Sequence, residues 1–107
     1  MRYGLTQTEF EGIIMVMSQF PALEKAVLFG SRAKGNFRPG SDIDIAVYGK
    51  NLSFDDFLSL IVKLDELELL QKFDLVKYES IENPEFIAHI KRIGVVIYNK
   101  LEAGLDK

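Results

Sequence analysis

The sequence contains no cysteine and no tryptophan, and it has a single histidine among its 107 residues. Without cysteine the chain forms no disulfide bridge, binds no zinc through thiolates and has no cysteine nucleophile. The one histidine, His89, excludes a metal site built from several histidines of one chain. These absences rule out the disulfide-stabilised and cysteine-dependent classes of protein.

The chain also lacks an excess of basic residues. Its formal net charge is −3 and its pI is near 5.1. Proteins that bind the phosphate backbone of nucleic acids in general carry a basic excess over a whole face. We therefore do not expect direct binding of nucleic acid.

Long apolar runs are missing as well. Glu9 and Glu11 interrupt the N-terminal segment, which does not read as a secretion signal. The longest apolar run is far short of the roughly 20 residues that a membrane-spanning helix requires, so we expect a cytoplasmic protein without a membrane partner. The length suits a single domain, residues 1–107, with little material for an enclosed pocket, and some function is expected to be borrowed from a partner.

Hydrophobic periodicity divides the chain into helices and strands. Capping signals and a period near 3.6 predict helices at residues 6–20, from residue 53 onward and at residues 83–93. Alternation or short apolar runs predict strands at residues 26–29, 42–48, 73–78 and 95–98. This order predicts an α/β (α+β) fold in which helices cover a small sheet.

The second predicted helix is more apolar than one buried face requires. Its core stripe is predicted to consist of Phe54, Phe57, Leu58, Ile61 and Leu64. Four further leucines widen that stripe: Leu60, Leu67, Leu69 and Leu70. Two interpretations stay open, namely tight burial within the small fold and a contact surface for another protein.

Two aspartates one residue apart open the strand DIDIAVY. Alternation puts Asp42 and Asp44 on one face of the strand with Cα atoms about 7 Å apart. Carboxylates this close repel each other unless a cation lies between them, and Mg²⁺ is the metal that prefers such ligands. A third carboxylate is expected from a neighbouring strand, and Asp74 is the best candidate. It would act as a general base or help to hold a second metal ion.

A glycine-serine turn stands a dozen residues before the aspartates. Gly30 lets a ligand approach the main chain closely, and Ser31 with the following backbone N–H groups suits a phosphate. We predict that Gly30, Ser31, Arg32 and Ser41 form a nucleotide site, with Ser41 also shaping the entry to the aspartate strand. The turn is not a P-loop, because the lysine and serine or threonine of that motif are missing.

The sequence allows only less specific interpretations of three other side chains. His89 lies in the predicted third helix and is expected to have a structural role. Tyr48 and Tyr78 are ordinary strand aromatics, although stacking on a nucleotide base near the acidic face stays open.

The motif GSRAKG followed by SDID resembles the signature of nucleotidyltransferases of the DNA polymerase β superfamily, in particular the minimal, MNT-type members. Downstream, FDLVKY and GVVIYN resemble the rest of that domain. The resemblance implies a mixed sheet, a nucleoside triphosphate bound through Gly30 and Ser31, and two Mg²⁺ ions held by Asp42, Asp44 and Asp74. An acceptor hydroxyl would attack the α-phosphate and release pyrophosphate.

The resemblance also implies a partner. Minimal members resemble the antitoxin of a toxin-antitoxin pair whose other half is a helical HEPN protein, and they transfer AMP from ATP to a tyrosine of that ribonuclease toxin. Two alternatives stay open: a non-catalytic nucleotide-binding or toxin-blocking module, and a small-molecule nucleotidyltransferase completed by a partner subunit.

Overall fold

The computed structural model describes residues 2–101 of the chain. These residues form four α-helices: α1 Gln7–Ser18, α2 Gly30–Lys34, α3 Phe54–Asp65 and α4 Pro84–Ile93. They also form four strands: β1 Lys25–Phe29, β2 Ile43–Tyr48, β3 Phe73–Lys77 and β4 Val95–Asn99. The three longer helices and the four strands occur in the predicted order. The structure adds the short helix α2 between β1 and β2 and a 3-10 turn, Tyr78–Ser80, after β3, and Asp42 precedes β2 instead of belonging to it.

The four strands form one mixed sheet in the order β3-β2-β1-β4. β1 is antiparallel to both of its neighbours, β2 and β4, whereas β2 and β3 are parallel. A parallel pair needs a long crossover connection, and α3 provides it here. The predicted α/β class and the mixed sheet are therefore confirmed.

The helices begin where the sequence places cap residues. Thr6 and Glu9 form a complete capping box at α1, with both reciprocal hydrogen bonds present. At α3 the Ser53 hydroxyl accepts a hydrogen bond from the Asp56 N–H (3.0 Å). At α4 the Asn83 side chain accepts from two backbone N–H groups, and Pro84 follows it as the first helical residue. These bonds satisfy N–H groups that a helix start otherwise leaves open.

Apolar side chains pack on both faces of the sheet. The larger core lies on the face that α1 and α3 cover, and Ile43, Ile45 and Val47 of β2 point into it. On the opposite face Ala46 is fully buried in a smaller cluster that includes Ile90 of α4. Alternation in β2 predicts one buried face, formed by Ile43, Ile45 and Val47, so this second core is a correction. Its cause is that Phe86 and Ile90 of α4 pack on the other face of the sheet.

The apolar stripe of α3 is also a correction. Leu60 and Leu64 are fully buried, whereas Phe54 and Leu58, expected in the core, are 70% and 44% exposed. Val62 continues their line at 56% exposure, because residues four apart follow one side of a helix and this side faces away from the sheet. Among the extra leucines, Leu60, Leu67 and Leu69 pack in or against the core, and Leu70 is exposed.

The helices of the described residues are short. The longest, α1 and α3, have 12 residues each. Within residues 2–101 no helix combines the length and the apolar character needed to cross a membrane.

Candidate active site

Asp44 and Asp74 lie side by side on neighbouring strands. They are direct partners in the parallel register of β2 and β3, where adjacent strands are about 4.8 Å apart. Both side chains leave the same face of the sheet, and the two carboxyl groups are within hydrogen-bonding reach of each other. The sequence predicted that Asp74 supplies a carboxylate from a strand next to β2, and the structure adds its direct pairing with Asp44.

The environment of Asp44 disfavours its charged form. Partial burial, the nearby Asp74 and then Asp42 raise the pKa of the Asp44 carboxyl from 3.8 to about 6, and the Arg32 guanidinium opposes them only weakly. Two carboxylates that share a site cannot both ionise without cost unless a cation or a proton lies between them. A cation bound between the two carboxyl groups would therefore relieve their repulsion.

Asp42 lies near Asp44, but its carboxyl group does not form a three-carboxylate site with Asp44 and Asp74. It is exposed, stands immediately before β2 and contributes to the raised pKa of Asp44. As the side chains stand within residues 2–101, no three Asp, Glu or His groups are close enough together to hold a metal ion. The structure thus brings Asp44 and Asp74 together and leaves Asp42 beside them. This donor set of carboxylate oxygens fits Mg²⁺ better than a softer metal.

Gly30 is the residue at which the chain turns from β1 into α2, and it lies against the acidic pair. Its φ of +75° is in the left-handed region, and a Cβ atom at this position would collide with the carboxyl group of Asp44. The preceding residue, Phe29, pairs with Asp44 across the antiparallel strands, which explains the close approach. Glycine is therefore required here by the neighbouring carboxylate, a reason that the sequence alone did not reveal.

Ser31 is the second residue of the five-residue helix α2, which begins at Gly30. The helix ends at Gly35, whose φ of +88° forms a left-handed cap and whose N–H donates to the Ser31 carbonyl (2.9 Å). The turn predicted to bind phosphate is thus adjacent to the acidic pair.

Arg32 and Ser41 were predicted to contact a nucleotide, and both make bonds inside the protein. The Arg32 side chain is 1% exposed and donates to the main-chain carbonyls of Tyr3, Pro39 and Ser41. The Ser41 hydroxyl accepts a hydrogen bond from the Arg38 N–H (2.9 Å), in keeping with its expected role at the strand entry. These bonds favour a structural contribution by both residues.

Tyr48 and Tyr78 lie at the other end of the sheet from the acids. Tyr48 is the last residue of β2, about 13 Å along the strand from Asp44. The two rings stack on each other with centroids 4.1 Å apart, and the Lys25 ammonium lies over the ring of Tyr48. The suggestion that they stack on a base near the acidic face is therefore wrong. His89 packs edge-on against Phe29, as expected for a structural residue.

Asp42 and Asp74 are exposed, and Asp44 is half-buried. A cavity of about 980 Å³ lies beside Tyr48 and Tyr78. A smaller one of about 430 Å³ lies along α1. Neither is lined by Asp42, Asp44 or Asp74.

The candidate site thus consists of an acidic pair beside a glycine turn on a mixed sheet. The sequence model of the family described as polymerase beta nucleotidyltransferase matches residues 11–103. The chain belongs to this family and is a nucleotidyltransferase. The resemblance seen in the sequence motif is therefore confirmed.

Solved structures with the same fold include toxin-antitoxin complexes. One, a toxin-antitoxin with AMP-PNP, is 28% identical with a TM-score of 0.68, and the match covers 84% of this chain and 73% of the other. Another is a tri-AMPylated HEPN toxin of Shewanella oneidensis in complex with an MNT antitoxin, at 25% identity and a TM-score of 0.65, covering 94% and 79%.

A third structure, proposed to be a minimal nucleotidyltransferase, is similar in fold at 21% identity and a TM-score of 0.67, with 89% and 95% covered. Among curated proteins, none matches the chain in sequence.

Proposed function

We propose that this protein is a magnesium-dependent nucleotidyltransferase that transfers AMP from ATP to a hydroxyl group of a HEPN-type partner, with a tyrosine as the acceptor. It would act as the antitoxin of that ribonuclease toxin, in the cytoplasm, with residues 1–107 as one catalytic domain. The observation that carries the proposal is the Asp44 and Asp74 pair beside the Gly30 turn. The similarity to a complex with AMP-PNP and to one with an AMPylated HEPN toxin supports the donor and the partner.

The carboxylates would hold the metal and accept a proton. Asp44 and Asp74, with Asp42 beside them, supply the oxygen ligands that Mg²⁺ prefers, and bound Mg²⁺ would offset the charge of the triphosphate. In the transfer, the bond from the acceptor oxygen to the α-phosphorus forms and the bond to pyrophosphate breaks. The proton of the acceptor hydroxyl passes to a carboxylate, for which Asp74 is the exposed candidate.

The turn at Gly30 and Ser31 would orient the triphosphate. The main chain of this turn lies next to the acids, where its N–H groups would bind phosphate oxygens. Asp42 and Asp74 are exposed, so an acceptor hydroxyl on the surface of a partner protein has access to them. This access suits a protein acceptor.

We assign the exposed stripe of α3, which lies on the opposite side of the sheet from Asp44, to the docking of the partner and not to the presentation of its hydroxyl. Phe54, Leu58 and Val62 form a line about 12 Å long on one side of the helix. Acidic residues flank it, among them Asp55 and Asp65. Two copies of this stripe would oppose like charges, which disfavours a homodimer through it. A partner with an apolar helix face and basic flanks is complementary.

The experiment combines the purified protein, the HEPN-type protein from the same source, ATP and Mg²⁺, and reads the intact mass of the partner. An added AMP unit that depends on Mg²⁺ supports the proposal. Asp44→Asn and Asp74→Asn should abolish the addition, whereas Glu82→Gln, an exposed acid away from the pair, should retain it. An unmodified partner that nevertheless binds the protein tightly would contradict transfer.

That last outcome describes the second candidate, a module that blocks the toxin without turnover. It is favoured by one observation, namely that the three aspartates do not gather around a common point as they stand within residues 2–101. The double variant Asp42→Asn with Asp44→Asn separates the two functions. A blocking module keeps its antitoxic effect in this variant, whereas a transferase loses it.

A further inference from the structure

Arg32 is the one charged side chain among the described residues that is buried. A buried guanidinium is costly unless its N–H groups find partners. Its partners here are three main-chain carbonyls: Tyr3 at 2.8 Å, Pro39 at 3.1 Å and Ser41 at 2.9 and 3.1 Å. All three partners belong to irregular segments whose carbonyls no helix or sheet ladder would satisfy.

These bonds connect the two halves of the candidate site. Arg32 stands two residues after Gly30, on the short helix that follows the turn. The Ser41 carbonyl receives two of its hydrogen bonds, and the next residue in the chain is Asp42. A two-pronged contact fixes both the position and the orientation of that peptide group. One side chain thereby sets the separation between the turn and the start of the aspartate strand.

The N-terminal turn covers the guanidinium from the other side. Gly4 has a φ of +78°, and a Cβ atom there would lie 2.6 Å from Nη1 of Arg32 and would also overlap the ring of Phe37. That ring lies under the guanidinium at 5.0 Å. Enclosure of this kind excludes water and strengthens the hydrogen bonds to the carbonyls.

The same geometry argues against direct contact with a nucleotide. Of the five N–H groups of an arginine, four are used in the bonds to the carbonyls. The side chain is closed off from solvent. We propose that Arg32 is a positioning residue, which holds the loop of residues 36–42 so that Asp42 and Asp44 face the Gly30 turn. In its effect on transfer, this inference rests on the proposed function.

The test compares Arg32→Lys and Arg32→Met with Arg92→Met, which removes an exposed arginine from α4. Lysine keeps the charge but cannot reproduce the planar fork. Hydrogen exchange should be faster at residues 36–42 in both Arg32 variants and unchanged in the control. Because displacement by about 1 Å costs up to roughly 100-fold in rate, kcat should fall by about 10- to 100-fold while KM for ATP stays within about threefold.

A further variant provides the test in case the Arg32 variants do not fold. Gly4→Ala keeps the arginine at position 32 but crowds its Nη1 and the ring of Phe37, so it should also raise exchange at residues 36–42 and lower kcat. A raised KM with unchanged kcat would make Arg32 a direct phosphate ligand and overturn the proposal. Unchanged exchange in the Arg32 variants would overturn it even if the wild-type protein transfers nothing, so failure of the proposed function is recognised separately.

Discussion

Replacement of Asp44 by asparagine should stabilise the metal-free protein while removing its activity. The pKa of Asp44 is raised from 3.8 to about 6 by burial and by the neighbouring acids Asp74 and Asp42. At 1.36 kcal/mol for each pH unit, a rise of about two units sets an upper limit of about 3 kcal/mol. Because the carboxyl group is partly open to solvent, screening reduces the expected gain to about 1 to 2 kcal/mol.

The sign and the pH range follow from the direction of this change. A carboxyl group whose pKa is higher in the folded than in the unfolded state binds its proton more tightly when folded. The folded state is therefore penalised as pH rises from about 4 to about 6, and the penalty is complete above that range. Asparagine has no charge to lose and donates its amide N–H to the Asp74 carboxylate, so the penalty disappears.

Thermal unfolding with a chelator present, at pH values from 4 to 8, measures this difference. At pH 7 the midpoint of Asp44→Asn should exceed that of the wild type by about 4 to 8 °C for each kcal/mol, and the two should converge near pH 4. Asp65→Asn, an exposed acid on α3, is the matched control and should shift stability by less than about 0.5 kcal/mol. A lower midpoint for Asp44→Asn at pH 7, or a gain that persists unchanged at pH 4, would refute the reasoning.

Three further predictions follow from the same geometry. Mg²⁺ binding, measured by calorimetry, should weaken by up to tenfold per pH unit below about pH 6, because the metal must displace the proton of Asp44; a flat profile would contradict this. Gly30→Ala should lower both stability and transfer, since its Cβ collides with that carboxyl, whereas Gly40→Ala has open space and should be near neutral in both assays. Val62→Ser should weaken partner binding in a pull-down titration, whereas Val96→Ser, similarly exposed on β4, should not; equal effects would remove α3 as the contact surface.

Much of the fold was predictable because its signals are local. Thr6, Ser53 and Asn83 cap helices through hydrogen bonds to residues two or three positions away, and the structure has each of these bonds. Strand positions follow from alternation in the same way. The exposure of Phe54 and Leu58 was not predictable, because periodicity defines an apolar face of α3 but not how much of that face the sheet can cover.

The candidate site was likewise predictable only where its signals are local. Asp42 and Asp44 stand out because their spacing is a local feature, and Asp74 follows once a third strand is assigned. Their mutual arrangement depends on the register between β2 and β3, in which Asp44 pairs directly with Asp74. No pattern within either strand determines that register. The raised pKa of Asp44 is a consequence of the pairing, so it too could be derived only from the structure.

Arg32 illustrates why charge alone is a poor guide to a ligand contact. An arginine next to a phosphate-type turn reads as a contact for a phosphate, yet its N–H groups are engaged by carbonyls of residues 3, 39 and 41. The loop that contains Pro39 and Gly40 belongs to neither a helix nor a strand, so no helix or sheet N–H donates to its carbonyls. The fork-shaped donor at position 32 supplies hydrogen bonds to the carbonyls of Pro39 and Ser41 and so holds the loop that leads into the aspartates. In this proposal the residue that best resembles a ligand contact serves the site by organising the main chain, and the phosphate is left to the Gly30 turn.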